Sequence, residues 1–242
     1  MLIFRAALIL LTLVLGGCAS TGSNPDDPWE GWNRKVYTFN KALDTAVAKP
    51  LTQGYQAITP DFIETGVSNV FDNLGDIPNF LNNLFQGKPV DSVSDLARFV
   101  VNSTLGVAGL WDPASSMGLV KHDEDFGQTL ATWGVGEGPY VMLPLMGPST
   151  LRDTFAKPID SQMDLINQID HVRTRNQIKL LELIDKRAGL IPFEELLNSA
   201  TDEYSFVRDS YLQNRKYKVF DGDIPLEDDF ECEEEDEEDC EF

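Results

Sequence analysis

Apolar residues recur at helical spacing along most of this chain, and this periodicity restricts its fold more than any other feature. The first stripe has spacings of four, three, four and four, and it consists of Trp32, Val36, Phe39, Leu43 and Val47. Spacings of three and four place side chains on one face of an α-helix. Since no alternating strand pattern of useful length is present, the sequence predicts an all-α fold of several short amphipathic helices.

Prolines predict where these helices begin and end. The first helix is expected to end before Pro50, and Thr59 and Pro60 are expected to be the N-cap and first residue of the next. The Asp76-Ile77-Pro78 stretch is expected to interrupt that second helix. Further helical segments are predicted over residues 91–110 and, beyond the middle of the chain, as far as residue 217.

The middle of the chain has a different composition. After Trp133, the segment GQTLATWGVGEGPYVMLPLMGPSTLRD contains seven glycines and prolines up to and including Pro148, which predicts an irregular segment with little regular structure. Its GVGEGP part has the glycine content of a phosphate-binding loop. However, it follows no predicted strand and lacks a Gly-Lys-Ser/Thr ending, so positive φ angles and close backbone approach explain these glycines better.

Two segments are more apolar than the others. They are FLNNLF (80–85) and RFVVNSTLGVAGLW (98–111), and the second has almost no polar face. Such a helix is either buried or in contact with lipid. An ordinary core is the favoured explanation for any single apolar stripe, whereas these two segments favour contact with lipid.

Acidic residues are concentrated at the C-terminus. The formal net charge is −21, and residues 221–242 hold 14 acidic residues and no Lys or Arg, which leaves −7 for the rest of the chain. This composition predicts a disordered acidic tail and argues against nucleic acid as a partner. Cys232 and Cys240 lie in this tail. A disulfide in an oxidising compartment, free or intermolecular thiols, and a metal site are the open alternatives for them.

Residues suited to catalysis or metal binding are scarce. His122 lies in KHDEDFG beside three carboxylates, but side chains adjacent in sequence do not easily converge on one ion, so a solvated loop is favoured. His171 is expected to be exposed on an ionic helix surface. There is no G-x-S-x-G motif, and nothing assembles a nucleophile, a base and an oxyanion donor. The sequence therefore predicts a protein that is not an enzyme and has no metal or cofactor.

The N-terminus carries the features of an export signal. Arg5 precedes a run of ten residues, Ala6 to Leu15, which is too short to cross a bilayer and is followed by two glycines. Residues 1–17 are therefore predicted to be a signal peptide. LGGC (15–18) resembles the lipobox of bacterial lipoproteins, which implies cleavage before Cys18 and acylation of Cys18 as a lipid anchor. The residue after Cys18 is Ala19 and not Asp, which in enterobacterial lipoproteins implies transport to the outer membrane.

Three blocks of the body are similar to the MlaA (VacJ) family of outer-membrane lipoproteins. They are DPWEGWNRKVYTFN, GQTLATWGVGEGPYVMLPLMGPSTLRD and TDEYSFVRDSYLQNR, and the resemblance runs from about Asp27 to Tyr217. The chain is thereby divided into a signal peptide (1–17), a flexible tether (18–26), an MlaA-like helical domain (27–220) and an acidic disordered tail (221–242). The tail departs from the family's pattern, so the resemblance implies nothing about it.

The resemblance implies a ring of short amphipathic helices that lies in the outer membrane around an amphipathic channel and faces the periplasm. It implies that the protein removes phospholipids mislocalised to the outer leaflet and passes them to a soluble periplasmic lipid carrier, which delivers them to an ABC-type lipid transporter. A trimeric porin is the implied partner in the outer membrane. A structural lipoprotein that only docks on the porin, and a phospholipid hydrolase, are the alternative functions.

The same resemblance implies which residues form the functional site. Phe39 and Asn40 in YTFN match a motif that controls the channel, although a core position for Phe39 and a capping role for Asn40 are the structural alternatives. Contact with the bilayer or the porin is expected of Phe80, Leu84 and Phe85. The residues expected to shape the channel wall, or an apolar hairpin near it, are Gly134, Gly136, Gly138, Pro139 and Tyr140.

Overall fold

Residues 24–225 are described by a computed structural model, and helices make up most of this range. The all-α prediction is confirmed, while the arrangement of the helices as a ring stays a prediction. The predictions for the signal peptide, for Cys18, for Cys232 and Cys240, and for the tail beyond residue 225 concern residues outside the described range.

The helices and strands follow one another in this order: α1 (Glu30–Leu43), a π-helical turn (Asp44–Ala48), α2 (Lys49–Ile58), α3 (Asp61–Phe85), α4 (Pro89–Thr104), α5 (Pro113–Ser116), α6 (Phe126–Thr132), β1 (Tyr140–Leu143), β2 (Gly147–Thr150), α7 (Leu151–Met163), a 3-10 turn (Leu165–Gln168), α8 (Val172–Ala188), a 3-10 turn (Ile191–Phe193), α9 (Glu194–Ser199) and α10 (Glu203–Val219).

Two of the predicted helix breaks are absent. α1 continues through the π-helical turn into α2, so the expected end before Pro50 is wrong. The wider turn lies just ahead of Pro50, whose nitrogen cannot donate an α-helical hydrogen bond. Pro78 lies inside α3, so the expected interruption there is also wrong. α3 packs along α4 more extensively than any other pair of elements in residues 24–225, and this packing outweighs the local cost of proline.

Other boundaries differ by smaller amounts. α3 begins at Asp61 with Pro60 as its N-cap, one residue later than expected. α4 ends at Thr104 rather than near residue 110, because Val107 and Ala108 adopt φ angles of 54° and 58°. This left-handed backbone is incompatible with a continuing right-handed helix.

The middle of the chain contains more regular structure than its composition predicts. α6 begins at the N-cap Asp125, whose carboxylate accepts a hydrogen bond from the Gln128 N–H at 2.9 Å. β1 and β2 form an antiparallel hairpin with Tyr140 opposite Thr150 and Leu143 opposite Gly147. The expectation of an irregular segment is therefore wrong for residues 127–132, 140–143 and 147–153, which lie in α6, in the two strands and at the start of α7. Each strand has only four residues, and β2 also contains glycine and proline, so neither strand is long enough to show an alternating pattern.

A small apolar core lies where α1, the hairpin and α10 meet. Its buried members are Val36, Tyr140, Met142 and Tyr204. The ring of Tyr140 packs edge-on against the rings of Tyr204 and Tyr211, with centroid distances of 6.4 Å and 6.1 Å. Val36 is the member of the first sequence stripe that belongs to this core, since Trp32, Phe39 and Val47 are exposed and Leu43 is half-buried outside it. The core interpretation is therefore wrong for most of that stripe.

Candidate functional site

The α3–α4 pair buries polar residues and exposes apolar ones. We call the buried set the polar seam, and it consists of Asn73, Asp76, Asn79, Asn82, Asn83, Ser92, Asp95, Arg98 and Asn102. The outward faces carry Phe62, Leu84, Phe85, Val90, Val93, Leu96 and Val100, of which Phe62 is 73% and Val90 79% exposed. A soluble domain has the reverse distribution, so this exterior suits a hydrocarbon environment or a partner surface.

Hydrogen bonds join the polar seam to the loop before α6. Asn79 donates from Nδ2 to the His122 carbonyl at 2.6 Å and accepts at Oδ1 from the Glu124 N–H at 2.9 Å. Asp95 accepts from Asn83 Nδ2 at 2.8 Å through one oxygen, and its other oxygen lies 2.7 Å from His122 Nδ1. Loss of any of these hydrogen bonds would leave a buried polar group without its partner, so the bonds hold the loop in one position.

Arg98 is the central cation of the seam and is 1% exposed. It donates to Ser115 Oγ at 3.0 Å, to the Leu119 carbonyl at 2.8 Å and to Asp112 Oδ2 at 3.1 Å. Its Nε lies 3.6 Å from an oxygen of Asp76. Neither carboxylate oxygen of Asp76 has a hydrogen-bond partner among residues 24–225. Burial raises the pKa of Asp76 to about 6, although the charge of Arg98 opposes the increase.

Asp112, the N-cap of α5, couples the seam to pH. Burial alone would raise the pKa of Asp112, but hydrogen bonds from Ser115, Asn102 and Arg98 outweigh it and lower the pKa to about 2. A carboxylate with a lowered pKa stabilises the folded state above pH 4, and this contribution is lost as the pH falls to about 2.

We therefore expect a protein lacking residues 1–17, held in detergent micelles, to lose about 2 kcal/mol more of its free energy of unfolding than its Asp112→Asn variant between pH 4 and pH 2. Urea titrations of both proteins at pH 4, 3 and 2 measure this difference. The other carboxylates titrate in both proteins, so their contributions cancel when the two losses are subtracted. Equal losses in the two proteins would contradict the assignment.

The hairpin is held on α1 by two asparagines. Asn33 donates from Nδ2 to the Tyr140 carbonyl at 3.2 Å and accepts at Oδ1 from the Met142 N–H at 2.9 Å. Asn40, seven residues along α1, donates to the Leu143 carbonyl at 2.9 Å and accepts from the Leu145 N–H at 2.8 Å. Each side-chain amide thus takes the place of a neighbouring strand along the free edge of β1. Asn40 holds the apolar hairpin tip, where Leu145 is 75% exposed.

A cavity of about 750 Å³ lies between the glycine-rich segment 134–138 and the C-terminal half of α10. Its lining residues include the charged Asp26, Glu137, Arg152, Arg215 and Lys216 and the apolar Leu212, Val219 and Phe220. Arg215 bridges three helices, because it bonds Asp125 of the α6 N-cap at 2.6 Å and 2.7 Å and Asp153 of α7 at 2.8 Å. The cavity is therefore bordered by a rigid ionic cluster and a glycine-rich loop.

Comparison with known proteins identifies the family. The family model described as MlaA lipoprotein matches residues 25–218. The chain belongs to the MlaA lipoprotein family. The proteins named "Intermembrane phospholipid transport system lipoprotein MlaA" from Escherichia coli (strain K12) and Shigella flexneri are each 33% identical over 226 residues, which is 90% of this chain and 90% of each relative. A structure solved under the heading "Structural basis for maintenance of bacterial outer membrane lipid asymmetry" is 31% identical, with a TM-score of 0.71, and covers 80% of this chain and 98% of its own.

The YTFN residues expected to control an MlaA channel lie beside the hairpin. Phe39 is 50% exposed, so the core alternative is wrong for this residue. Asn40 lies inside α1 and bonds the hairpin, so it is not a helix cap. Channel control by these residues stays a prediction.

The residues expected to contact membrane or porin lie at the end of α3. Leu84 and Phe85 are exposed, and Phe80 is half-buried. This placement on the apolar exterior makes such contact sterically feasible, and the contact itself stays a prediction. No helix within residues 24–225 combines the length and the apolar character needed to cross a membrane.

The glycine block of the MlaA-like middle segment leads into the hairpin. Gly134 and Gly138 have φ angles of 88° and 69°, which only glycine adopts readily. The Pro139 carbonyl accepts from the Leu151 N–H at 3.0 Å. Tyr140 is buried, and its N–H donates to the Asp26 carbonyl at 2.8 Å. Gly136 has no neighbouring atom that a Cβ would meet. A role of this block in a channel wall stays a prediction.

The two histidines make hydrogen bonds to neighbouring residues of the protein. The interpretation of His122 as part of a solvated loop is wrong for its side chain, because that side chain bonds Asp95 of the seam. His171 is exposed, as expected, and its ring accepts from the Thr174 N–H at the start of α8. Within residues 24–225, no group of three or more His, Cys, Asp or Glu side chains is arranged to hold a metal ion.

Sequence reasoning missed the polar seam and Asn33. A signal for the seam was present, because Asn73, Asp76, Asn79 and Asn83 recur at spacings of three, three and four. Asp95, Arg98 and Asn102 repeat the pattern on α4. Polar residues at helical spacing between apolar ones are usually read as a solvated face, and only the tertiary structure shows that this face is buried.

Proposed function

We propose that this chain is a lipid-anchored outer-membrane lipoprotein that faces the periplasm and removes mislocalised phospholipids from the outer leaflet. It passes these lipids to a soluble periplasmic lipid carrier of an ABC-type transport system and thereby maintains lipid asymmetry. A trimeric porin positions it in the outer membrane. The relatives named as phospholipid transport lipoproteins support this role and carry no enzyme name.

The observation that carries the proposal is the reversed distribution of polarity across α3 and α4. The exposed valines, leucines and phenylalanines face a medium without water at little cost, while the polar seam is protected from that medium. Moving a phospholipid headgroup through hydrocarbon is opposed by the loss of its hydration. A protein with an apolar exterior and a polar interior lowers this barrier without any reaction at the lipid.

The hairpin supports the assignment of Phe39 and Asn40 to channel control. The hairpin tip is apolar and exposed, and its hydrogen bonds to α1 come from Asn40. A change at Asn40 therefore alters how firmly the tip is held, while the core around Val36 and Tyr204 remains in place.

The test is the amount of phospholipid in the outer leaflet of cells. We expect deletion of the gene to raise this amount, wild type to restore it, and the Cys18→Ala variant to fail because an unacylated chain is not held at the membrane. Mass spectrometry after selective labelling of outer-leaflet lipid measures all three strains.

Two outcomes would contradict the proposal. An unchanged outer leaflet in the deletion strain would favour a docking lipoprotein without transport. Lysophospholipid and free fatty acid released by the pure protein from labelled phospholipid would favour a hydrolase.

A further inference from the structure

The loop between α4 and α5 exposes every large side chain that it contains. We call residues 105–111 the α4–α5 loop, and their sequence, LGVAGLW, contains no charged side chain. Its four large apolar residues are 43–64% exposed, and they are Leu105, Val107, Leu110 and Trp111. Both glycines of the loop are buried. Glycine therefore lies inside and apolar side chains lie outside, which repeats the reversed distribution of polarity seen on α3 and α4.

The α4–α5 loop is attached to the polar seam. Gly109 has a φ angle of 88°, and a Cβ at this position would lie 3.0 Å from the Asn73 side chain. Directly after the loop, the Asp112 carboxylate accepts from Arg98 at 3.1 Å and from Asn102 Nδ2 at 3.0 Å. The base of the loop is therefore held by the seam, while its apolar side chains remain outside.

The backbone of the α4–α5 loop is paired within the protein. Six of its amides donate to carbonyl groups of residues 101–107 at 2.8–3.4 Å, and they belong to Leu105, Gly106, Ala108, Gly109, Leu110 and Trp111. The Leu110 carbonyl accepts from Asn69 Nδ2 at 3.1 Å. A loop in water does not need such pairing, because water can bond an open amide. In hydrocarbon an unpaired amide is costly, so an irregular backbone can enter only when its amides are paired.

The apolar surface of the loop continues onto α3. A Cβ on Gly66 would lie 3.5 Å from the Leu110 side chain, and Gly66 is one turn from the exposed Phe62. Two carboxylates occur in the same part of α3, those of Asp61 and Glu64, and both line the groove between α3 and α8. These charges therefore border that groove, and the apolar surface lies beside it.

We infer that the α4–α5 loop inserts into the acyl-chain region of the membrane, with Trp111 near the headgroups. Hydrocarbon has neither charges nor hydrogen-bonding groups, so it complements a surface with no charged side chain and a paired backbone. The indole of a tryptophan prefers the boundary between hydrocarbon and headgroups. The inference rests on the membrane location in the proposed function and names the element that enters the bilayer. It does not depend on lipid removal.

Contact with a protein partner is the competing explanation for the exposed apolar side chains. A protein surface supplies hydrogen-bond donors and acceptors of its own, so it does not require that the backbone of the loop be paired internally. The paired backbone therefore favours lipid. A measurement in vesicles that contain no other protein separates the two explanations.

The experiment uses the full chain, purified from bacterial membranes and placed in vesicles of phosphatidylethanolamine and phosphatidylglycerol. In parallel vesicles, phosphatidylcholine with brominated acyl chains replaces part of the lipid and quenches tryptophan emission in hydrocarbon. Because the protein has four tryptophans, the difference between wild type and Trp111→Phe gives the emission of Trp111. We expect acyl-chain bromine to remove most of this emission, more strongly near the headgroup end of the chain than near its methyl end, and iodide in the water to leave most of it.

Two substitutions at Val107 separate insertion from backbone strain. Val107 has a φ angle of 54°, which is unfavourable for a β-branched residue and more accessible to Asp and Gly. Both Val107→Asp and Val107→Gly therefore suit the backbone, but only Asp places a charge where we expect hydrocarbon. Val107→Asp should shift the loop toward a withdrawn position by about tenfold or more and abolish quenching by bromine, whereas Val107→Gly should keep most of the quenching.

Three outcomes would overturn the inference. The first is that wild-type Trp111 emission is unchanged by bromine and is removed by iodide. The second is equal quenching in Val107→Asp and Val107→Gly. The third is protection of Trp111 only after a trimeric porin is added, which would assign the loop to protein contact. If Val107→Asp does not fold by circular dichroism, the wild-type measurement decides the question.

Failure of the inference and failure of the proposed function give different results. If bromine leaves Trp111 unquenched while deletion of the gene raises outer-leaflet phospholipid, insertion of the loop fails and lipid removal stands. If bromine quenches Trp111 while deletion of the gene leaves the outer leaflet unchanged, lipid removal fails and insertion of the loop stands.

Discussion

Replacing Arg98 with methionine is expected to lower the free energy of unfolding by about 3–5 kcal/mol, since it leaves buried carboxylates without their cation. Arg98 is 1% exposed, and its guanidinium lies beside Asp76 and Asp112 while also bonding the Leu119 carbonyl. Methionine keeps most of the volume and removes the charge, so the loss reports electrostatics and hydrogen bonding more than packing. Urea unfolding at pH 7 of the protein lacking residues 1–17, in detergent micelles, measures this loss.

A surface pair and a double variant serve as controls for this prediction. Lys121→Met breaks an ion pair with Asp72 on the surface and should cost about 1 kcal/mol or less. Adding Asp76→Asn to Arg98→Met should recover at least about 1 kcal/mol, because the uncompensated charge of Asp76 is then absent. A loss in Arg98→Met no larger than that of Lys121→Met would show that the seam is not an electrostatic unit.

Replacing Asn40 with alanine is expected to loosen the hairpin tip and to change the amount of outer-leaflet phospholipid, with protein abundance unchanged. The substitution removes two hydrogen bonds, to the Leu143 carbonyl and from the Leu145 N–H. At about 1 kcal/mol for each bond, amide exchange at Leu145 should accelerate by about 5–30-fold. Hydrogen exchange with mass spectrometry measures the tip, and outer-leaflet lipid analysis of cells measures the function.

Asn33→Ala is the matched comparison, because Asn33 makes the same type of contact deeper in the hairpin. Asn33 is fully buried and also donates to Asp27 at 2.7 Å, so its loss should destabilise the whole domain and lower abundance.

Deletion of Phe39 and Asn40 together should change outer-leaflet phospholipid in the same direction as Asn40→Ala. It also rotates the preceding and following parts of α1 by about 200° relative to each other, so the point variant is the cleaner test. If Asn40→Ala had the amide-exchange rate and the outer-leaflet phospholipid of wild type, a controlling role would be contradicted. If the variant were no longer present in the cell, Asn40 would have a structural role only.

The spacing of apolar residues was sufficient to predict an all-α fold, because a period of three to four residues depends only on the geometry of a single helix. Three motifs were likewise sufficient to predict the family, which the match over residues 25–218 confirms. Helix ends were predicted less well. Pro78 is a local signal for a break, but the packing of α3 on α4 is a long-range interaction that the local signal does not contain.

Which side of each helix faces inward was decided only by the tertiary structure. An apolar stripe on α3 or α4 shows that the helix has an apolar and a polar face. It does not show which face is buried, because the same stripe suits a core in water or an exterior in lipid. Asn79, Asp95 and Arg98 are buried only because α3, α4 and the loop before α6 pack together and supply hydrogen-bond partners for their side chains. The same holds for Asn33 and Asn40, which are ordinary polar residues of a helix until the edge of β1 lies against them. Sequence therefore determined the helices and the family, whereas long-range hydrogen bonding decided which polar residues form the interior and which apolar residues remain outside.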